Sequence, residues 1–110
     1  MTPKTNKERN YIFNMRRNRR LLQKHVAILL GHRHVAMVSK YEHGVSLPPL
    51  ELAILLEIAL GARLPELYPD MYERLTRQVI VRARSLPWIV RQDLRRRLLG
   101  KESDDDTRSC

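Results

Sequence analysis

The chain has 110 residues and a net charge of +9, with 21 Lys and Arg against 12 Asp and Glu. Its single cysteine, Cys110, excludes an intrachain disulfide and a cysteine-based zinc site, so a reducing cytoplasm is the expected location. The longest apolar run, LAILL at 52–56, is far below the ~20 residues that a bilayer span needs. The polar opening MTPKTNKERN does not read as a signal peptide, and no membrane partner is expected.

A chain of this length reads as one domain with a short appendage. Its charge is uneven: residues 1–50 carry a net +8 and residues 51–110 a net +1. That asymmetry points to a polyanionic partner for the first half.

Apolar residues recur at helical spacing nearly throughout, with no alternating strand pattern, so the expected class is all-α. A first helix is expected over 8–20, with Tyr11, Ile12 and Met15 on one side and Arg16, Arg17, Arg19 and Arg20 around the rest. A second is expected from Gln23 to Leu30, with Val26, Leu29 and Leu30 inward, stopped by Gly31. A third runs from Val35 to His43 and stops at Gly44. Val45 to Pro48 reads as a loop, and Pro49 suits the first turn of a fourth helix over 49–60, ended by Gly61. Pro65 starts a short turn, LPELY.

Beyond Pro69 the stripe Tyr72, Leu75, Val79, Ala83 and Leu86 gives a sixth helix over 70–84. Pro87 interrupts it, with Ser85 as a candidate cap. Trp88, Ile89, Val90, Leu94 and Leu98 continue the stripe in a seventh helix ending near Gly100. Trp88 is expected in a core or an interface. The polar tail KESDDDTRSC, residues 101–110, reads as disordered.

Residues 23–43 carry the motif. Two short helices joined by a glycine turn form a helix-turn-helix unit. Ala27 supplies the small residue facing the second helix, Gly31 the turn, and Val38 and Tyr41 the apolar pair on the second helix's inner face. The rest of that helix is then available to a DNA major groove.

From about Ile12 to Tyr72 the chain resembles the phage-repressor/Cro-like helix-turn-helix regulators, also called the xenobiotic-response-element (Xre-type) family. The resemblance is carried by Arg16, LLQKHVAILLG (21–31), VSKYEHG (38–44), PPLE (48–51) and ALGARLPELY (59–68). It implies a five-helix lambda-repressor-like DNA-binding domain over 1–69, with a C-terminal helical extension over 70–100.

The resemblance also implies roles. Gln23 matches a glutamine that touches a phosphate or braces the recognition helix. Arg16 matches an arginine that pairs with Glu42. Val35, Ala36, Ser39 and Lys40 match the exposed recognition positions, and His34 the usual cap. Val35 and Ala36 suit thymine methyls, and Lys40 suits guanine O6 or N7. Ser39, His43, Arg17 and Lys24 suit phosphates, and Arg33 in the turn offers a bidentate base contact.

Three departures from the family pattern stand out. Gly31 to Val38 is one residue longer than the commonest spacing. The usual spacing would bury Lys40 in place of Tyr41, so the extra residue falls within His32–His34 and leaves the register of base contacts open by one position. The loop after Gly44, VSLPP, lacks the family's frequent Lys or Arg. Leu55 and Ile58 replace usually polar residues, as if to receive the C-terminal helices or a second subunit.

Other chemistry finds little support. His25, His32, His34 and His43 lack metal-ligand spacing, so no metal or cofactor is expected. No phosphate loop, paired carboxylates or nucleophile with a base suggests an enzyme. The expected function is a dimeric transcriptional repressor that reads a palindromic operator in double-stranded DNA through its third helix. Helix 4 and the stripe from Tyr72 to Leu98 are the expected dimer surface. The alternatives are an antitoxin-like protein whose C-terminal helices bind a protein partner, and an architectural or RNA-binding protein that uses charge alone.

Overall fold

The computed structural model describes residues 7–99. Among them every regular element is helical: α1 (Ile12–Asn18), α2 (Gln23–Leu30), α3 (Ala36–Glu42), α4 (Leu50–Leu60), α5 (Leu64–Leu67), α6 (Pro69–Arg82) and α7 (Trp88–Leu99), with a 3-10 turn at Ala83–Ser85 between the last two. The tail 101–110 with Cys110, and Gly100, lie outside the described residues. No helix among those described is long and apolar enough to cross a membrane.

α1 starts four residues later than expected, because residues 8–11 spend their polar groups elsewhere. The Glu8 amide donates to the Gly44 carbonyl (3.0 Å) and the Tyr11 amide to the Leu67 carbonyl (2.9 Å). Asn10 accepts from the Ile12 amide through Oδ1 and donates through Nδ2 to the Tyr41 carbonyl (3.0 Å). The segment is therefore an extended arm laid over the end of α3. α1 ends at Asn18, two residues before Arg20, which takes a left-handed φ of 61°.

α2 ends at Gly31 (φ 81°), and the His32 amide returns to the Ala27 carbonyl (2.8 Å), satisfying an orphan carbonyl. Val26, Ala27 and Leu30 are buried, but Leu29 is 50 % exposed rather than inward. At ~100° per residue, Leu29 falls well outside the arc shared by those three, and Ala27 takes its place. Val38 and Tyr41 of α3 are fully buried while Lys40 is exposed.

One core joins α1 to α5 and takes Met71 from the first turn of α6. Leu55 packs against this core, so it does not await another surface, whereas Ile58 is 73 % exposed.

The contacts divide the chain after Glu73, inside α6. Met71 in the first core, and the Arg9–Asp70 ion pair (3.9 Å), explain why the first turn of α6 belongs with the first unit. In the second unit only Ala83 is buried among the described residues. Trp88 is 63 % exposed there, so it is no core residue. Ser85 does not cap α7: its hydroxyl donates backwards to the Arg82 carbonyl (2.9 Å), and α7 begins after Pro87.

Candidate nucleic-acid interface

α3 divides its seven residues sharply between two faces. Val38, Tyr41 and the Glu42 side chain turn inward. Ala36, Ser39, Lys40 and His43 follow at helical spacing on the outer side, with Ala36, Lys40 and His43 exposed and Ser39 half-buried. Arg33, His34 and Val35 are exposed just before the helix. His34 does not cap it, because the residue at the helix start is Val35 and no side chain caps there.

Glu42 is the only acid on α3, and it is consumed. Arg16 Nε donates to Glu42 Oε2 at 2.5 Å, with side-chain exposures of 8 % and 4 %. Gln23 Nε2 donates to Glu42 Oε1 at 2.9 Å, and Arg16 Nη1 to the Leu21 carbonyl at 2.9 Å. One carboxylate thus ties the end of α1, the start of α2 and the end of α3 together. Gln23 is a brace in this arrangement, its amide group committed inward. A buried carboxylate is tolerated because charged and neutral donors both satisfy it.

The remaining cations separate by role. Arg19 Nε and Nη2 donate to the Leu60 and Gly61 carbonyls (2.7 and 3.2 Å), so Arg19 closes the end of α4. It is a structural member of the arginine cluster. Arg17 is exposed, its guanidinium 5.5 Å from the Phe13 ring centre, with Arg16 5.2 Å from the same ring. Lys24, Arg33 and Lys40 are exposed and enter no ion pair among the described residues. The outer face of α3 and the turn before it therefore carry positive and neutral groups only.

The histidines are held in separate ways. His25 Nδ1 accepts from the Leu22 amide (2.9 Å) at the start of α2. His43 Nδ1 lies 2.7 Å from the Ser39 carbonyl, to which it donates, and 3.3 Å from the Ser39 hydroxyl. His32 is half-buried beside Tyr41, ring centres 6.3 Å apart, its Nε2 without a hydrogen-bond partner among the described residues. Among the described residues no three of His, Cys, Asp and Glu gather as metal ligands would.

Sequence reasoning missed Asn10, Arg19 and the close approach at Gly44. An asparagine just before the first periodic apolar residue is a helix-start signal that marks Asn10. Nothing local marks Arg19, whose partners lie 41 and 42 residues away. Gly44 was expected only as a helix stop. It has φ 74°, and a Cβ there would collide with the Glu8 carbonyl oxygen. Tyr68 is a further buried group. Its hydroxyl has no hydrogen-bond partner among the described residues, and burial, then Glu8 and Tyr41, push its pKa up to about 12.

Comparison of the chain with protein families, with curated proteins and with solved structures finds no match.

Proposed function

We propose that the first unit is a phage-repressor/Cro-like (Xre-type) helix-turn-helix domain of the lambda-repressor-like kind, and that the chain is a sequence-specific DNA-binding regulator. The observation that carries this reading is the outer face of α3. It presents Ala36, Ser39, Lys40 and His43 with Arg33 just before them, while the helix's one acid is buried against Arg16 and Gln23. A short helix, anchored on one side and free of negative charge on the other, is what a major groove accepts.

In this reading Lys40 donates to a guanine edge, Val35 and Ala36 meet thymine methyls, and Arg33, Arg17 and Lys24 hold base or phosphate oxygens. A seven-residue helix reads few bases, so two copies acting together are required for a specific site. The exposed stripe Leu50, Ile54 and Ile58 on α4 is our candidate for the homodimer contact.

Selection of bound sequences from a random duplex library at near-physiological salt tests the proposal. We expect an inverted repeat with half-sites about one turn, ~34 Å, apart. Lys40→Ala should then cost about 1–3 kcal/mol at one base position. Binding without enrichment, lost as salt rises, would replace this reading with one of charge alone.

A second reading is favoured by the C-terminal unit. Its helices carry apolar side chains that stay exposed among the described residues, as an antitoxin-like, partner-binding protein requires.

A further inference from the structure

The second unit contains a concave groove of about 580 Å³ between the end of α6 and α7. Its floor is apolar, with Ile80, Ala83, Trp88, Leu94 and Leu98, and Arg84, Arg91 and Arg95 stand among its lining residues. All three arginines are exposed. The only acid between residues 74 and 99 is Asp93, against eight arginines and no lysine. Asp93 is already engaged by Arg97 (3.3 Å) and Arg96 (3.9 Å). The groove arginines therefore have no ion pair among the described residues.

We propose that this groove is a docking site for an acidic amphipathic helix of a partner protein, with apolar side chains on the floor and Asp or Glu side chains against Arg84, Arg91 and Arg95. The proposal rests on the partner-binding reading, and adds the chemistry of the partner to it. Charge decides against a groove-to-groove pairing of two copies, since that would set the arginines of one groove on those of the other. Shape and periodicity decide against a lipid surface. Such a surface needs one continuous apolar face, but on α7 Trp88 and Leu98 line the groove while Ile89 and Val90 are not among its lining residues. A bare phosphate backbone would leave the apolar floor wet. An apolar stripe flanked by carboxylates satisfies both parts of the groove. Arginine suits the role, because its planar fork meets a carboxylate through two parallel hydrogen bonds.

Trp88 is the only tryptophan in the chain, so its fluorescence reports this groove directly. The test adds synthetic helical peptides of about four turns, with apolar residues at helix-face spacing and varied anchors, to the full-length protein. One set is flanked by Glu, one by Lys and one by Gln. We expect a saturable blue shift with the Glu set only. Arg91→Glu/Arg95→Glu should weaken it at least about tenfold, while Arg96→Glu/Arg97→Glu, equal in charge change but away from the groove lining, should weaken it about threefold or less. An equal response to the Gln or Lys set would overturn the acidic chemistry and leave a protein-binding groove. Silence toward every set up to millimolar peptide would overturn the partner-binding reading as well. A shift produced only by phosphatidylserine vesicles, only by duplex DNA, or by raising the protein's own concentration would replace the proposal with a lipid, nucleic-acid or self-association surface.

Discussion

The two units of the chain use helices of similar pattern and treat their apolar side chains in opposite ways. In the first, Ile12, Val26, Leu56 and Leu60 are closed off from solvent by helices that pack on one another. In the second, Leu75, Val79 and Ile80 of α6 and Trp88, Ile89 and Leu99 of α7 stay substantially exposed. Helical periodicity therefore reports that a face exists to be buried. It does not report what buries it. In the first unit its own helices do so. In the second, among the described residues, the apolar side chains of α6 and α7 stay largely exposed.

The sharpest way to break the first unit is to orphan its buried acid. Arg16→Ala leaves Glu42 in the interior with only Gln23, and should cost about 3–5 kcal/mol in denaturant unfolding. That is a large part of the stability of a domain this size. If the loss is under about 1 kcal/mol, the ion pair is not the tie between α1, α2 and α3 described above.

The contrast between units is tested most directly by one substitution in each. Leu56 is 1 % exposed and Leu75 is 45 % exposed. Leu56→Ala should destabilise by about 2–5 kcal/mol, whereas Leu75→Ala should stay within about 0.5 kcal/mol in the isolated chain. A large loss at Leu75 would show that the face is covered in solution, and its dependence on protein concentration would identify self-association.

Glycines sharpen the picture within the first unit. Gly44→Ala combines a left-handed backbone with a collision against the Glu8 backbone, and should cost about 2–3 kcal/mol. Gly31 is equally left-handed but open, with nothing within 4 Å of an added Cβ, so Gly31→Ala should cost about 1 kcal/mol. Equal losses at the two sites would mean that the arm at residues 8–11 does not lie over the end of α3.

The smallest effect at neutral pH comes from the buried phenol. Tyr68 is raised from 10.0 to about 12, and Tyr41 is also raised by burial. The folded state thus holds these protons more tightly than the unfolded chain. The stabilisation is complete below pH 10 and is lost as pH climbs from about 10 through about 12. Tyrosinate absorbance should show the two buried phenols ionising late, together with unfolding, and Tyr68→Phe should reduce that late step. A Tyr68 that titrates near 10 without unfolding would contradict its burial.

Much of the first unit was legible from residue order. The bounds of α2, and those of α3 and α4 to within a residue, follow from periodicity and from Gly31, Gly44 and Gly61, because a glycine that takes a left-handed φ ends a helix wherever it sits. The outer residues of α3 follow from placing Val38 and Tyr41 inside. Less legible were the positions where a side chain could serve either of two purposes. Leu29 and Leu55 are both apolar and both at helical spacing, yet one is out and one is in. The arginines at 16, 17 and 19 look alike in sequence. One binds a buried acid, one lies over an aromatic ring and one closes a distant helix.

By itself, then, the sequence determined the helical class, the positions of the turns, and the separation of a basic first half from a near-neutral second. These depend on local rules, on backbone preference and residue spacing, which act within a few positions of the chain. Only the tertiary structure decided that residues 8–11 are an arm instead of helix and that Gln23 spends its amide on Glu42, beside the Arg16–Glu42 pair that the resemblance implied. It also decided that the last two helices present a groove lined with arginines that enter no ion pair among the described residues. Those outcomes depend on which distant groups meet, and hydrogen bonds and burial between distant groups leave no mark in local spacing.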